Sequence, residues 1–309
     1  MSEDTAEAPE SCLAKDLILK AVPERSDDLA RLWETYGPQF RAGSDRREFH
    51  LAAGVSSLIV FTTRSLRQLW LLGFAGMDAM KALGGVIFCM PYIGRAFDLA
   101  FVTQLEGQVD ADSAFDKILA AAHDLGEREN PNEVPWPTWV PEPEEGRPTE
   151  PTGALAFDLT CLATAYTFLH EVQHLIGQAD GTAEAGPAEE LACDEYARAM
   201  LLDQAESYAS TAGVPLALVR RKRAMAIALA SFFVVWLTPA EAAAGTDTHP
   251  ALRDRLNALA GGLAPEEDQD LWIFMCCLLA STLRRAGRIP PSIAFSSARE
   301  LAFALMEKL

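Results

Sequence analysis

The sequence predicts a mainly α-helical chain with a small sheet, an α+β arrangement dominated by helix. Three observations lead there. Half of its 309 residues are hydrophobic and only 23% are charged, which is enough apolar material for a large core. The stretches Gly153 to Gln178, Ala188 to Tyr208 and Val214 to Thr238 follow one another as long apolar helices. One run, Ser57 to Thr62 (Ser-Leu-Ile-Val-Phe-Thr), is the most strand-like in the chain.

Taken in order, residues 1–12 read as a disordered acidic tail. Leu13 to Phe40 is mixed. It holds one helix, Ser26 to Tyr36, with Ser26 as the cap and Leu29, Leu32 and Trp33 as its apolar stripe. After the strand, Thr63 or Ser65 starts a helix to about Leu83, and more helix follows from Arg95 to His123. Residues 127–152 hold Pro131, Pro135, Pro137, Pro141, Pro143, Pro148 and Pro151, so no regular element fits there. A linker or a loop over a cleft would account for them. Trp136 and Trp139 favour a loop packed on the protein, a candidate lid. Helices at 251–260, 267–286 and 296–308 complete the chain. The division is therefore 1–126, with the sheet and first helices; 127–152, the Pro/Trp-rich segment; and 153–309, a helical core.

Charge excludes some functions. The chain has 26 Lys+Arg against 44 Asp+Glu, a formal net charge of -18. Phosphate backbones want a basic surface, so nucleic acid is not the expected partner, and anionic lipid is disfavoured for the same reason. Six cysteines, at 12, 89, 161, 193, 276 and 277, show no framework spacing, and no secretory signal opens the chain. The expectation is a cytoplasmic protein with reduced thiols. A membrane span is considered at Ala224 to Ala240, behind Arg220-Arg221-Lys222-Arg223. Such a run rises only about 25 Å against about 30 Å of hydrocarbon, and Pro239 and Glu241 close it, so it reads as a buried helix.

The chemistry lies in His170-Glu171-Val172-Gln173-His174, an HExxH sequence in a chain with five histidines. On a helix, i and i+4 share a face, so both imidazoles can reach one ion; zinc is the natural choice, with Glu171 beside its water as general base. Two helix histidines can also simply face solvent or core. The apolar residues before them (Leu162, Ala165, Tyr166, Phe168, Leu169) favour an interior position, where unpaired imidazoles are costly. Gly177, Asp180 and Gly181 then turn the chain back. Glu190 and Asp194, again i and i+4, lie on a second helix: Glu190 can complete a metal triad and Asp194 can hold an imidazole N–H, that of His170. Further on, Thr248 can cap a helix with Pro250 in its first turn, leaving His249 exposed at its N-terminus. His249 can donate to an oxyanion, and Arg255 can pair with Glu190 or Asp194.

HExxH, then ExxxD, then a histidine-proline pair with an arginine six residues after the histidine, resembles the gluzincin metallopeptidases. In a chain of this size it is similar to the Lit phage-exclusion peptidases, the peptidase U49 family. The motifs cover residues 153–260. The resemblance implies a zincin-like core in which the HExxH helix packs on a second ligand-bearing helix. It makes His170, His174 and Glu190 the zinc ligands, Glu171 the base and Asp194 the carboxylate behind a ligand, with His249 and Arg255 in the histidine-proline element. It implies a zinc endopeptidase acting on a host protein during phage infection. The family's target, translation elongation factor Tu, is not carried over to this chain. An extended protein or peptide substrate would add to an edge strand, for which Ser57 to Thr62 is the candidate. Two other readings compete: a zinc-binding sensor that cleaves nothing, against which Glu171 argues, and a membrane-embedded peptidase spanning at 224–240.

Overall fold

The computed structural model describes residues 9–44, 47–54, 56–183, 186–263 and 268–309. Among these it is mainly helical with one three-stranded sheet, as the sequence predicts. The first helix, α1 (Pro9–Ala21), takes in the last residues of the expected tail, whose residues 1–8 lie outside the described residues. Helix α2 spans Ser26–Tyr36, with Leu29 and Leu32 buried. Ser26 is not its cap: Arg25 stands there without a side-chain bond, because a short turn of helix at Pro23–Arg25 leads straight into α2. Gly37, at φ 55°, ends it in the left-handed conformation that glycine adopts without strain.

Strands β1 (Gln39–Ala42), β2 (Leu51–Ala53) and β3 (Leu58–Phe61) form a sheet in the order β1-β3-β2. β1 runs parallel to β3 and β2 antiparallel to it. The strand-like run is thus the middle strand and not an edge. Its alternate burial, with Ile59 and Phe61 inside, explains the strong sequence signal. The edge is β2, three residues of Leu-Ala-Ala too short and plain to be read.

Helix α3 (Thr63–Cys89) starts where Thr62 accepts a hydrogen bond from the Ser65 amide, and runs one and a half turns past the expected end. Two glycines on it set the packing. A Cβ at Gly73 would lie 2.0 Å from Thr160 Oγ1, and one at Gly76 would lie 2.5 Å from Leu229 Cδ1. The predicted helix from Arg95 is two: α4 (Leu99–Val102) and α5 (Gln108–Glu127), parted at Gly107.

Residues 127–152 pack on α3. Trp139 Nε1 donates to Asp78 Oδ2 at 3.0 Å, Trp70 Nε1 donates to the Pro141 carbonyl at 2.8 Å, and Arg67 stacks 5.0 Å from the Trp136 ring centre. Val134 and Val140 are buried.

Helix α6 (Pro151–Asp180) is capped by the Glu150 carboxylate, which accepts from the amides of Thr152 and Gly153, and is closed by Gly181 at φ 66°. The next predicted helix divides at Asp203–Gln204 into α7 (Pro187–Leu202) and α8 (Ala205–Ala212). Then come α9 (Leu216–Leu237), α10 (Leu252–Leu263), α11 (Gln269–Arg285) and α12 (Ala298–Met306). Helices α3, α6, α9 and α11 pack on one another, α7 lies on α6, and the sheet meets α6, where Phe168 contacts Phe40 and Phe61. One hydrophobic core includes residues from Ala14 to Met306, so the three sequence regions share it.

Every residue of α9 from Arg223 to Phe233 is buried inside the protein. The segment Thr63–Ile93 and helix α6 are long and apolar enough to cross a membrane; their apolar windows are 72% and 50% buried within the fold.

Candidate active site

The site lies where α6, α7 and the start of α10 meet beside β2. All seven residues picked from the sequence gather there: His170, Glu171 and His174 on α6, Glu190 and Asp194 on α7, His249 just before α10 and Arg255 on it.

The Nε2 atoms of His170 and His174 stand 3.2 Å apart. Each is 3.5 Å from an oxygen of Glu190. His249 Nε2 comes within 3.6 Å of Glu190 Oε1, while its Nδ1 is bonded to Thr248 Oγ1 at 2.8 Å. Thr248 therefore holds the ring and does not cap a helix, since α10 begins only at Leu252. As expected, His249 is exposed.

Behind the buried imidazole of His170 and the half-buried one of His174 stands a carboxylate each. His170 Nδ1 meets Asp194 Oδ1 at 3.0 Å and His174 Nδ1 meets Glu189 Oε1 at 2.9 Å. In a neutral ring these acceptors favour the proton on Nδ1, which makes Nε2, where the two rings face one another, the nitrogen able to bind an ion. Arg255 joins the two carboxylates of α7: its Nε and Nη2 bond both oxygens of Asp194 at 2.5 and 2.7 Å, and its Nη1 lies 3.3 Å from Glu190 Oε2.

Three carboxylates (Glu171, Glu190, Asp194) and one guanidinium line the site, and a fourth carboxylate, Glu189, stands behind His174. Burial works against the charged form of His174, but Cys193, Glu190 and Glu189 outweigh it and push the imidazole up to about 11. Burial raises Glu190 too, yet the two imidazoles and Arg255 hold it well below the usual carboxylate range. Asp194 behaves alike: burial is outweighed by His170 and Arg255, and its pKa falls. The field of the site asks for added positive charge between the two Nε2 atoms.

Glu171 differs. Burial raises its pKa, against the pull of the imidazoles and of the Ala53 amide, which donates to its Oε2 at 2.7 Å. Ala53 is in β2, so the edge strand and the glutamate of HExxH are in direct contact.

Three further residues were not picked from the sequence. Glu189 precedes Glu190, and nothing in a Glu-Glu pair says which side chain turns inward. Tyr166 lies four residues before His170 on the same helix face, a readable signal; its hydroxyl donates to Asp194 Oδ1 at 3.0 Å. Cys193 is buried, and its sulfur lies within 4.8 Å of a ring nitrogen of both His170 and His174. That trio could hold a metal ion. Glu190 is the stronger third donor, because an oxygen of its carboxylate stands 3.5 Å from each Nε2 atom and its pKa is held low, whereas burial pushes the Cys193 thiol up.

A cavity of about 650 Å³ opens onto these groups. Of residues 127–152, expected as a candidate lid, only Glu127 at the end of α5 lines it; the prolines and tryptophans of the segment sit on α3 instead.

A helix-borne HExxH sequence packed on a carboxylate-bearing neighbour, beside a cavity and a short sheet, belongs to a hydrolase of the peptidase class. Within that class the chain is a member of the peptidase U49 family, whose sequence model matches residues 59–275. No curated protein and no solved structure matches it.

Proposed function

We propose that the chain is a zinc-dependent endopeptidase that hydrolyses a peptide bond of a protein substrate, in the service of phage exclusion, and that it works in the cytoplasm. One observation carries the chemistry. Two imidazole Nε2 atoms and a carboxylate converge with mutual separations of 3.2, 3.5 and 3.5 Å. Donors about 2.0–2.1 Å from a tetrahedral zinc ion are spaced about 3.3–3.4 Å apart, so the donor set fits the metal.

His170, His174 and Glu190 would hold it. When bound, zinc supplies Lewis acidity, which polarises a scissile carbonyl and acidifies a water. Glu171 takes the proton of the attacking water on the oxygen not bonded to Ala53 and returns it to the leaving amine; its raised pKa suits both transfers. His249 donates from Nε2 to the carbonyl oxygen as negative charge gathers there. Asp194 and Glu189 fix the two ligand rings, and Arg255 fixes Asp194.

Metal analysis with a Glu171→Gln variant tests this. About one equivalent of zinc, retained in the variant while cleavage and phage exclusion vanish, supports catalysis. Protein that purifies with no zinc, and is unaffected by His174→Ala, sinks it. The proximity of Cys193 favours a second reading, a closed metal site in a sensor; that reading requires Glu171→Gln to keep full biological effect.

A further inference from the structure

Three imidazoles surround the Glu190 carboxylate, and the groups behind them differ. His170 and His174 each have a carboxylate at Nδ1, from Asp194 and Glu189. His249, whose Nε2 is 3.6 Å from Glu190 Oε1, has a hydroxyl there instead, Thr248 Oγ1 at 2.8 Å. An ionised carboxylate only accepts, whereas a hydroxyl accepts or donates. The direction of this one bond decides which nitrogen of a neutral His249 carries the proton.

Thr246 sets that direction. Its Oγ1 accepts from the amide of His249 at 3.1 Å and from the amide of Thr248 at 3.3 Å. A hydroxyl has two acceptor lone pairs and one proton, so these amides fill its acceptor positions. Its contact with Thr248 Oγ1, at 3.2 Å, is then made with its own proton, and Thr246 is the donor. Thr248 accepts that bond and spends its proton on His249 Nδ1. With Nδ1 as acceptor, the proton of the neutral ring is on Nε2, on the side of Glu190.

The turn that carries these hydroxyls is fixed. The Thr246 amide donates to the His249 carbonyl at 2.9 Å, and the Leu252 amide donates to the Ala243 carbonyl at 3.1 Å. Gly245 has a φ of 91°, and a Cβ on it would lie 2.8 Å from the Ala251 nitrogen. The Asp247 carbonyl sits against Gly186, where a Cβ would lie 2.6 Å from its oxygen. The turn therefore rests on the start of α7, the helix that bears Glu190.

We propose that Thr246 and Thr248 are positioning residues that present His249 as a hydrogen-bond donor and not as a third imidazole ligand. The two rings backed by carboxylates offer Nε2 lone pairs, and the ring backed by a hydroxyl offers an Nε2 proton. The use of that proton rests on the peptidase reading, but its placement can be measured apart from catalysis.

The test observes the full chain, as purified and with isotope-labelled histidine, by long-range proton–nitrogen NMR correlation at alkaline pH. His249→Gln assigns the ring. The parent is expected to show the Nε2–H tautomer of His249 with a hydrogen-bonded Nδ1. Thr248→Val should move the Nδ1 resonance to that of a nitrogen without a donor, Thr246→Val should move it part of the way, and Thr248→Ser should restore the parent position. An Nδ1–H tautomer in the parent overturns the proposal, as do spectra of both valine variants equal to the parent's. Phage exclusion by Thr248→Val is expected to weaken about tenfold, as a donor loses its aim, and to return with Thr248→Ser. Full exclusion by Thr248→Val would overturn the positioning role. A parent that holds no zinc and cuts nothing, yet shows the Thr248-dependent tautomer, would refute the zinc mechanism and leave the placement of the proton standing.

Discussion

Arg255 and Asp194, sixty-one positions apart, are locked by two parallel bonds, Nε to Oδ2 at 2.5 Å and Nη2 to Oδ1 at 2.7 Å. Both side chains are buried, and Asp194 spends its remaining capacity on His170 and Tyr166. Such a pair is costly to break, because either partner left alone is a buried charge without a counter-ion. Arg255→Met is therefore expected to lower stability by about 3–5 kcal/mol, measured by urea unfolding of the zinc-free protein. Asp194→Asn with Arg255→Met together should cost less than the sum of the two.

Glu189 and Asp194 bond the Nδ1 atoms of His174 and His170. Glu189→Gln is expected to weaken zinc binding about 10–100-fold by loosening His174, with little change in fold. Competition with a chelating dye reads this directly. An unchanged affinity would mean that the Glu189 contact does not orient the ring.

The Ala53 amide faces Glu171 and not the strand ladder, so a proline can be set on this edge without removing a sheet bond. Ala53→Pro is expected to keep the melting temperature within a few degrees while lowering kcat about tenfold, as Glu171 loses its fixed orientation. A variant as active as the parent would show that the contact does not position the base.

Asp158 gives a pH prediction remote from the site. Burial raises its pKa, but hydrogen bonds from Arg147 and Lys222 outweigh this and hold it below the ordinary 3.8. A carboxylate with a depressed folded-state pKa stabilises fully above its unfolded value and loses that contribution as pH falls through the folded value. Asp158→Asn should therefore melt lower than the parent at pH 6, and the gap should close below about pH 4. Melting curves between pH 2 and 7 test it.

Gly73 sets the approach of α3 to α6. Gly73→Ala places a methyl 2.0 Å from Thr160 Oγ1 and is expected to cost about 1–3 kcal/mol or more by overpacking. Adding Thr160→Gly should recover part of the loss, measured by chemical unfolding. Full independence of the two substitutions would contradict the close contact.

Much of this was legible because helical periodicity is local. The pattern of Leu29, Leu32 and Trp33 gives α2 to the residue at both ends, and Gly181 closes α6 where glycine is needed. HExxH and ExxxD each place two groups on one helix face, so their spacing alone pairs them. Breaks inside apolar runs were not legible, since Gly107 and Asp203–Gln204 interrupt helices without changing composition. Nor was β2, whose three residues become a strand only because β3 offers them bonds.

The sequence by itself determined the helical class and the family pattern, and it marked His170, Glu171, His174, Glu190 and Asp194 but not Glu189 or Cys193, because helix geometry turns the spacing of a motif into direction. Only the tertiary structure decided which of Glu189, Glu190 and Cys193 faces which imidazole, that Arg255 locks Asp194, that β2 and not β3 touches Glu171, and that the proline-rich segment sits on α3 away from the cavity. Those facts depend on how separate elements rotate and approach, and that is set by core packing, down to a missing methyl group at Gly73. It is not carried in the spacing of residues within any one element.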